Sequence, residues 1–129
     1  MIFGIGTDIV KVARMQRSID RWGDRFAGRI LTPDEKKEYC TTTKKANFLA
    51  KRFAAKEAAS KAMGLGFQNG LELKHISVTH KKNGKPELIF TGFASEFLSR
   101  NNISASQLSL SDEHDYAVAF VTMECASTD

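Results

Sequence analysis

The sequence predicts a single α+β domain in which a mostly antiparallel sheet packs against a long central helix and shorter helices. Two observations predict this class. The sequence patterns follow the order strand, three helices, hairpin, helix, hairpin, and strands joined by hairpins pair antiparallel. A chain of 129 residues is also long enough for one hydrophobic core and too short for a second, so we take residues 1–129 as one domain.

Composition limits the class of partner. Hydrophobic residues make up 42% of the chain and charged residues 26%, which is typical of a folded globular protein. No apolar run reaches the length of a membrane span, and the N-terminus lacks a signal-peptide pattern, so we expect a cytoplasmic protein without a membrane partner. The net charge of +4 favours an anionic partner, which leaves nucleic acid, phosphorylated small molecules and acidic proteins open.

Residues 1–10 alternate in the manner of a β-strand. One face is formed by Phe3, Ile5, Thr7 and Ile9, and the other by Ile2, Gly4, Gly6 and Asp8. The two glycines leave backbone exposed beside Asp8, so a helix or a ligand could approach closely there. Asp8 itself is either an N-cap of the following helix or a metal ligand.

Residues 11–27 predict one amphipathic helix. Its apolar residues recur every three or four positions and form a single stripe, namely Val12, Met15, Ile19, Trp22 and Phe26. Four arginines form a second stripe on nearly the opposite side, namely Arg14, Arg17, Arg21 and Arg25. Such a basic face is either simply solvated or a docking surface for an acidic helix or a phosphate backbone.

The segment that follows carries a helix start. Thr32 can act as N-cap, Pro33 fits the first helical position and Glu35 can close a capping box. We expect this helix to end near Tyr39 and a polar loop over residues 41–45 to follow.

The strongest helix signal runs from Asn47 to Gly64. Alanines and straight-chain residues fill it, and Gly64 stands where a left-handed C-cap residue is expected. Its charges are uneven, because the single carboxylate of Glu57 accompanies four cations, namely Lys51, Arg52, Lys56 and Lys61. This is either an exposed face with an ordinary Glu57–Lys61 pair or a site for one metal ion and several phosphate oxygens.

Beyond Gly64 the period changes to that of strands. Residues 73–78 and 87–90 predict two strands that flank an Asn83-Gly84 turn. A short helix follows from Phe93 to about Asn101, and strands over residues 107–111 and 116–123 complete the chain. The last strand is apolar on both faces, which indicates a subunit interface in addition to a core.

Most familiar catalytic motifs are missing from the sequence. The glycines of GIGTD do not complete a dinucleotide-binding fingerprint, and there is no P-loop or hydrolytic triad. The two cysteines lack metal-ligand spacing and are expected to be free thiols, and the three histidines are scattered. The remaining set is Asp8 and Glu57 with several cations. It suits Mg²⁺ and phosphate, because Mg²⁺ takes one or two protein carboxylates and fills its shell with water and phosphate oxygens.

Five segments together resemble the holo-acyl-carrier-protein synthases, which are the small 4'-phosphopantetheinyl transferases. The segments are GIGTDIV at 4–10, RILTPDE at 29–35, RFAAKEAASKAMG at 52–64, NGKPEL at 83–88 and SLSDEHDYAVAFV at 109–121. They occur in the family's order and cover nearly the full length of the chain.

The resemblance implies a Mg²⁺-dependent enzyme that transfers the 4'-phosphopantetheine arm of coenzyme A to a serine of apo acyl carrier protein and releases adenosine 3',5'-bisphosphate. In that family the Asp of GxGxD and the Glu of the KEA motif hold Mg²⁺ with the pyrophosphate, and these positions are Asp8 and Glu57 here. Glu57, directly or through a metal-bound water, is the implied base, and Lys61 is implied to neutralise charge on the leaving phosphate.

The resemblance also implies binding surfaces. The positions expected to contact coenzyme A are Arg52 and Lys56 at its phosphates and Gly84, Lys85 and Pro86 beside its adenine. The implied docking face for acyl carrier protein is formed by Arg14, Arg17, Arg21 and Arg25. The family's usual assembly is a homotrimer with coenzyme A bound between subunits.

Position 112 departs from the family pattern. Many relatives read Ser-x-Ser-His where this chain has Ser109-Leu110-Ser111-Asp112. A histidine could donate a hydrogen bond to a phosphate, whereas an ionised aspartate only accepts, so no phosphate-binding role is carried over to Asp112.

Two alternative functions complete the prediction. One is a catalytically silent relative that binds acyl carrier protein, and the intact Asp8, Glu57 and Lys61 argue against it. The other is a basic nucleic-acid-binding module, which we do not favour because aromatic residues are not interleaved with the basic ones.

Overall fold

The computed structural model describes residues 1–126, and the last three residues of the predicted domain, 127–129, lie outside the described part. The described elements are β1 (Ile2–Lys11), α1 (Val12–Trp22), α2 (Asp24–Ile30), α3 (Pro33–Thr41), α4 (Lys45–Met63), a 3-10 turn (Leu73–His75), β2 (Ile76–His80), β3 (Pro86–Phe90), α5 (Gly92–Arg100), β4 (Ile103–Asp112) and β5 (Tyr116–Cys125). This arrangement confirms the predicted α+β class. Within residues 1–126 no helix is long and apolar enough to span a membrane.

The strands form two antiparallel sheets. The larger has the order β1-β5-β4, and the smaller is the β2-β3 hairpin. In the larger sheet Ala119 of β5 faces Asp8, and Ala117 of β5 faces Asp112 of β4. Because opposed residues and residues two apart point to the same side of a sheet, Asp8 and Asp112 lie on one face. We call this the inner face.

Helix α4 crosses the inner face at backbone contact. A Cβ atom added to Gly4 would overlap the carbonyl oxygen of Ala62, and one added to Gly6 would overlap that of Ala58. The close approach predicted beside Asp8 is therefore confirmed, and the element that uses it is a helix. The buried alanines of α4 and the inner residues of β5 form the centre of the core.

The prediction of one helix over residues 11–27 is wrong. Gly23 has φ +60° and ψ −143°, a conformation that only glycine adopts readily, and it separates α1 from α2. Arg25 therefore lies on α2, whereas the other three arginines of the predicted stripe lie on α1. Trp22 ends α1 and is 53% exposed, so the predicted apolar stripe does not continue through it.

Other boundaries differ by a few residues. The strand predicted from Leu73 begins at Ile76, because Leu73–His75 form a 3-10 turn in which Glu72 N–H donates to His75 Nδ1. Helix α4 begins at Lys45, whose Nζ donates to the carbonyl of Tyr39. The capping box of α3 is confirmed, with Thr32 and Glu35 bonded reciprocally. The helix ends at Thr41, two residues later than predicted.

Candidate active site

Three of the predicted site residues meet where β1 crosses α4. Lys61 Nζ donates to Asp8 Oδ1 at 3.1 Å and to the carbonyl oxygen of Thr7 at 3.0 Å. Glu57 lies one turn before Lys61 on the same helix. The glycine contacts described above set this geometry, since they hold the backbone of β1 directly against α4.

The electrostatics of this group are those of two carboxylates that repel each other. Burial raises the pKa of Glu57, and the negative charge of Asp8 raises it further. Lys61 and Arg14 act in the opposite direction and lower the same pKa. The position between Asp8 and Glu57 therefore favours an additional positive charge.

This donor set fits Mg²⁺. Among residues 1–126 no three His, Cys, Asp or Glu side chains form a metal-binding group, so a metal here would have two protein carboxylates. Mg²⁺ is commonly bound by one or two carboxylates, with water and substrate phosphates completing its octahedron. The burial of Glu57 and its closeness to Asp8, both of which raise the pKa of Glu57, support a cation at this position.

A cleft of about 450 Å³ lies between the β2-β3 hairpin, the first half of α4 and the end of β4. Its lining residues are Glu38, Thr42, Phe48, Lys51, Arg52, His80, Gly84, Pro86, Leu110 and Asp112. Three of the predicted coenzyme residues are among them, namely Arg52, Gly84 and Pro86.

Arg52 is held firmly in the wall of this cleft. Its Nη2 donates to Glu38 Oε2 at 2.7 Å, and its guanidinium carbon lies 4.3 Å from the centroid of the Phe48 ring. The side chain is only 4% exposed, and its buried Nε has no hydrogen-bond partner within residues 1–126. This Nε lies 3.6 Å from Glu35 Oε2, so Arg52 is oriented from several sides.

Lys56 lies behind Arg52, outside the cleft. Its Nζ is fully buried and donates to Glu35 Oε1 at 2.7 Å and to the carbonyl oxygen of Ile30 at 2.6 Å. Burial lowers the pKa of Lys56, and the charge of Glu35 opposes that shift. Glu35 Oε2 also accepts from Val78 N–H at 2.9 Å. The predicted contact of Lys56 with coenzyme A stays a prediction. In the structure the partner of Lys56 is Glu35.

Lys85 turns away from the other two residues of its predicted loop. Its Nζ donates to Gln107 Oε1 at 3.2 Å, and it lines a neighbouring groove beside β4 together with Pro86. Gly84, with φ +89°, forms the turn itself. Of the three loop residues, Lys85 alone does not line the larger cleft.

The four arginines of the predicted docking face are exposed and lie on two helices. Arg14 reaches back toward α4, where its guanidinium carbon lies 5.9 Å from the centroid of Phe53. Arg21 covers the ring of Trp22 at 4.8 Å. The charge of Arg14 also lowers the pKa of Glu57.

Several cleft residues were not predicted from the sequence. Phe48 could have been, because it lies four residues before Arg52 and therefore on the same side of the helix. His80 and Asp112 lie on different strands, and only the tertiary fold brings them to α4. Lys51 Nζ lies 4.0 Å from Asp112 Oδ2, so the departure at position 112 has a cationic partner in this chain.

The sequence is similar to one protein family over most of its length. The sequence profile of the 4'-phosphopantetheinyl transferase superfamily matches residues 4–121. The holo-[acyl-carrier-protein] synthase of Hamiltonella defensa is 52% identical over 123 residues, which cover 95% of this chain and 98% of that protein.

Two solved structures extend the similarity to the fold. The crystal structure of the Neisseria meningitidis holo-[acyl-carrier-protein] synthase has a TM-score of 0.91 at 47% identity and covers 96% of this chain and 99% of its own. The Bacillus anthracis synthase, in complex with CoA (3',5'-ADP), has a TM-score of 0.82 at 34% identity and covers 98% of this chain and 99% of its own. The chain described here belongs to the 4'-phosphopantetheinyl transferase superfamily, within the family of the holo-acyl-carrier-protein synthases.

Proposed function

We propose that this chain is a cytoplasmic, Mg²⁺-dependent transferase that moves the 4'-phosphopantetheine group of coenzyme A to a serine of apo acyl carrier protein and releases adenosine 3',5'-bisphosphate. The observation that carries the proposal is the meeting of Asp8 on β1 with Glu57 and Lys61 on α4, the helix that also supplies Arg52 to the cleft. Arg52 and Glu57 are five residues apart, or about 8 Å along the helix axis. The relative from Bacillus anthracis, crystallised with CoA (3',5'-ADP), supports the choice of ligand.

The proposed reaction is a phosphoryl transfer in which one bond to phosphorus forms and another breaks. The serine Oγ forms a bond to the phosphorus that carries the pantetheine arm, and the bond from that phosphorus to the oxygen of the adenosine 3',5'-bisphosphate breaks. Mg²⁺, held by Asp8 and Glu57, would neutralise charge on the pyrophosphate. In our proposal Glu57 accepts the proton of the serine.

Lys61 suits the leaving group. Its ammonium group is half exposed and is fixed by the carbonyl oxygen of Thr7 and the carboxylate of Asp8. A positive charge placed in advance stabilises the negative charge that develops on the departing phosphate. We therefore assign Glu57 and Lys61 as the catalytic residues and Asp8 and Glu57 as the metal ligands.

The nucleotide part of coenzyme A would occupy the cleft. The cleft is lined by Arg52, Gly84 and Pro86, and Lys85 borders it in the adjoining groove. Lys56 would act indirectly, because it shares the carboxylate of Glu35 with Arg52.

The acyl carrier protein would dock on the basic surface of α1 and α2. Its members are Arg14, Arg17, Arg21 and Arg25, all of which are exposed. An acidic partner would be attracted there, and the attraction would weaken as salt rises. The charge of Arg14, a member of this surface, acts on the pKa of Glu57. In our proposal, a carrier protein docked on this surface would therefore place its serine close to Glu57.

A homotrimer with sites between subunits is also part of the proposal. The outer face of the larger sheet exposes Ile5 (59%), Ile9 (62%) and Phe120 (44%). Contiguous apolar surface of this kind is typical of an interface. Asp112 lines both the cleft and a smaller hollow that contains Ile9 and Val118, so the cleft borders this face.

Release of adenosine 3',5'-bisphosphate tests the reaction. The protein would be incubated with coenzyme A, Mg²⁺ and apo acyl carrier protein, and the nucleotides separated by anion-exchange chromatography. We expect one bisphosphate per carrier protein modified, and none with a carrier protein whose acceptor serine is replaced by alanine. Bisphosphate release that is the same with both carrier proteins would contradict transfer to that serine.

A further inference from the structure

The positive and negative side chains in the walls of the cleft are equal in number. The walls carry two cations, Lys51 and Arg52, and two carboxylates, Glu38 and Asp112. Arg52 Nη2 lies 2.7 Å from Glu38 Oε2, and Lys51 Nζ lies 4.0 Å from Asp112 Oδ2. A phosphate that enters therefore meets cations already paired with carboxylates, although the proposed ligand is strongly anionic.

His80 is the remaining titratable group of the cleft wall. It ends β2 and lines the cleft together with both ion pairs. Burial lowers the pKa of His80, and the charges of Arg52 and Lys51 lower it further, while Glu38 opposes them. Near neutral pH the imidazole is therefore uncharged, and it can still gain one proton and become a double donor.

The reacting and non-reacting phosphates of coenzyme A would lie in different places. If the function proposed above holds, the pyrophosphate lies against Asp8, Glu57 and Lys61, none of which lines the cleft. The phosphate that reaches the cleft is then the monoester on the ribose. A monoester has a second ionisation near pH 6 and carries almost two negative charges at neutral pH.

We propose that His80 binds the ribose 3'-phosphate of coenzyme A and takes up a proton on binding. The two ion pairs leave the cleft neutral, so protonation of His80 supplies the additional positive charge that the phosphate requires. Asp112 accepts hydrogen bonds only and is paired with Lys51, so it does not supply a donor. This inference rests on the proposed function and adds a specificity residue to it.

The contribution of His80 to the binding of coenzyme A should decrease as pH rises. The groups that face His80 are Glu38 of α3, Lys51 and Arg52 of α4, and Asp112 of β4. At low pH His80 is charged before binding, and as pH rises the free protein must first gain a proton to form the same contact. The advantage of wild type over a variant without the imidazole therefore falls as pH rises.

Titration calorimetry with His80→Ala tests the inference. The ligands are coenzyme A and dephospho-coenzyme A, which lacks the 3'-phosphate, and the control is His114→Ala in the exposed turn before β5. We expect His80→Ala to bind coenzyme A about tenfold more weakly at pH 6, the effect of one lost hydrogen bond to a charged group, and less so at pH 8. Dephospho-coenzyme A and the control should show no change.

Proton uptake gives a second measurement on the same samples. Titrations in two buffers of different ionisation enthalpy should show more protons bound by wild type than by His80→Ala. A further variant, His80→Lys, should bind coenzyme A as tightly as wild type. It should take up no more protons than His80→Ala, because the lysine already carries its charge before coenzyme A binds.

Three results would overturn the inference. Equal binding of coenzyme A by wild type and His80→Ala at both pH values would show that His80 does not contribute to the site. The proposed function would still stand in that case if wild type released the bisphosphate. Equal losses for both ligands would show that His80 does not contact the 3'-phosphate. Failure of wild type to bind coenzyme A would overturn the inference and the proposed function together.

Discussion

At the scale of single residues, Asp8 and Glu57 are the side chains on which the chemistry depends. We predict that Asp8→Asn and Glu57→Gln each reduce the rate of carrier-protein modification by about a hundredfold or more, since each removes a negative charge from the proposed metal site and the second also removes the base. Initial rates at saturating coenzyme A and Mg²⁺ measure the effect. Asp34→Asn, an exposed carboxylate on α3, is the matched control.

The folded state should survive these two substitutions. Both remove a repulsive partner without adding bulk, so their thermal unfolding should resemble that of wild type. Turnover near the wild-type rate in either variant would refute the assignment of the metal ligands.

Lys56 and Glu35 form a buried ion pair whose contribution is to stability. Lys56→Met should lower the free energy of unfolding by about 3–5 kcal/mol, because it leaves the buried carboxylate of Glu35 without its nearest cation. Urea titration measures the change. Lys37→Met, at an exposed lysine 3.9 Å from Asp34, should cost no more than about 1 kcal/mol.

A double substitution distinguishes the loss of the ion pair from the loss of core packing. Lys56→Met combined with Glu35→Leu should cost less than the sum of the two single changes, since neither charge then remains without its partner. Strict additivity would contradict the account of a coupled pair.

Residue types and their order in the chain were enough to single out Asp8 and Glu57 together with several cations, and the resemblance to the family assigned roles to Asp8, Glu57 and Lys61. The burial of Lys56 was not predictable in this way. Its partner Glu35 lies 21 residues earlier, and the capping-box pattern predicted for Glu35 a local bond to Thr32 without indicating its second, long-range role.

At the scale of elements, the contact between β1 and α4 fixes the candidate active site. Gly6→Ala should destabilise the protein by about 3 kcal/mol or more, because the new methyl group would overlap the carbonyl oxygen of Ala58. It should also lower the transfer rate, since Asp8 and Glu57 would be pushed apart. Gly66→Ala, whose Cβ would meet only the side chain of Gln68, should cost far less.

The basic surface of α1 supports a prediction about the second substrate. Arg17→Glu with Arg21→Glu should raise the KM for acyl carrier protein about tenfold or more at low salt and leave the KM for coenzyme A nearly unchanged. Arg14 is excluded from the test because its charge also acts on Glu57. Arg100→Glu on α5 is the control. Equal effects on both KM values would argue against a docking surface.

The strands and helices were predicted in the right order, except that the first predicted helix is two helices, α1 and α2, and several element ends differ. The break at Gly23 went unpredicted because the apolar spacing continues across it, and a single glycine inside a helical pattern is often tolerated. The 3-10 turn at Leu73–His75 depends on a hydrogen bond to the side chain of His75, which alternation of apolar residues does not reveal.

At the scale of the whole molecule, the outer face of the larger sheet is the feature that a single chain leaves unexplained. Phe120→Glu should convert a species of about three times the 14.3 kDa chain into monomers, because it places a charge at the centre of the exposed apolar surface. Sedimentation velocity measures the mass. Ile89→Glu, at an exposed residue of β3, should leave the mass unchanged.

A stable monomer of wild type at micromolar concentration would contradict the proposed assembly. The sequence pattern of β5, apolar on both faces, predicted an interface in addition to a core. It could not indicate that the cleft lies next to that face, because this follows from the pairing of β4 with β5 and from the position of Asp112 at the end of β4.

The intact mass of apo acyl carrier protein after incubation with coenzyme A and this protein tests the central claim most directly. With Mg²⁺ we predict a gain of one phosphopantetheine, about a third of a kilodalton, and with a chelator in place of Mg²⁺ no gain. An equal gain with the chelator would contradict the metal-dependent mechanism. No gain under either condition, on several carrier proteins, would contradict the transferase itself.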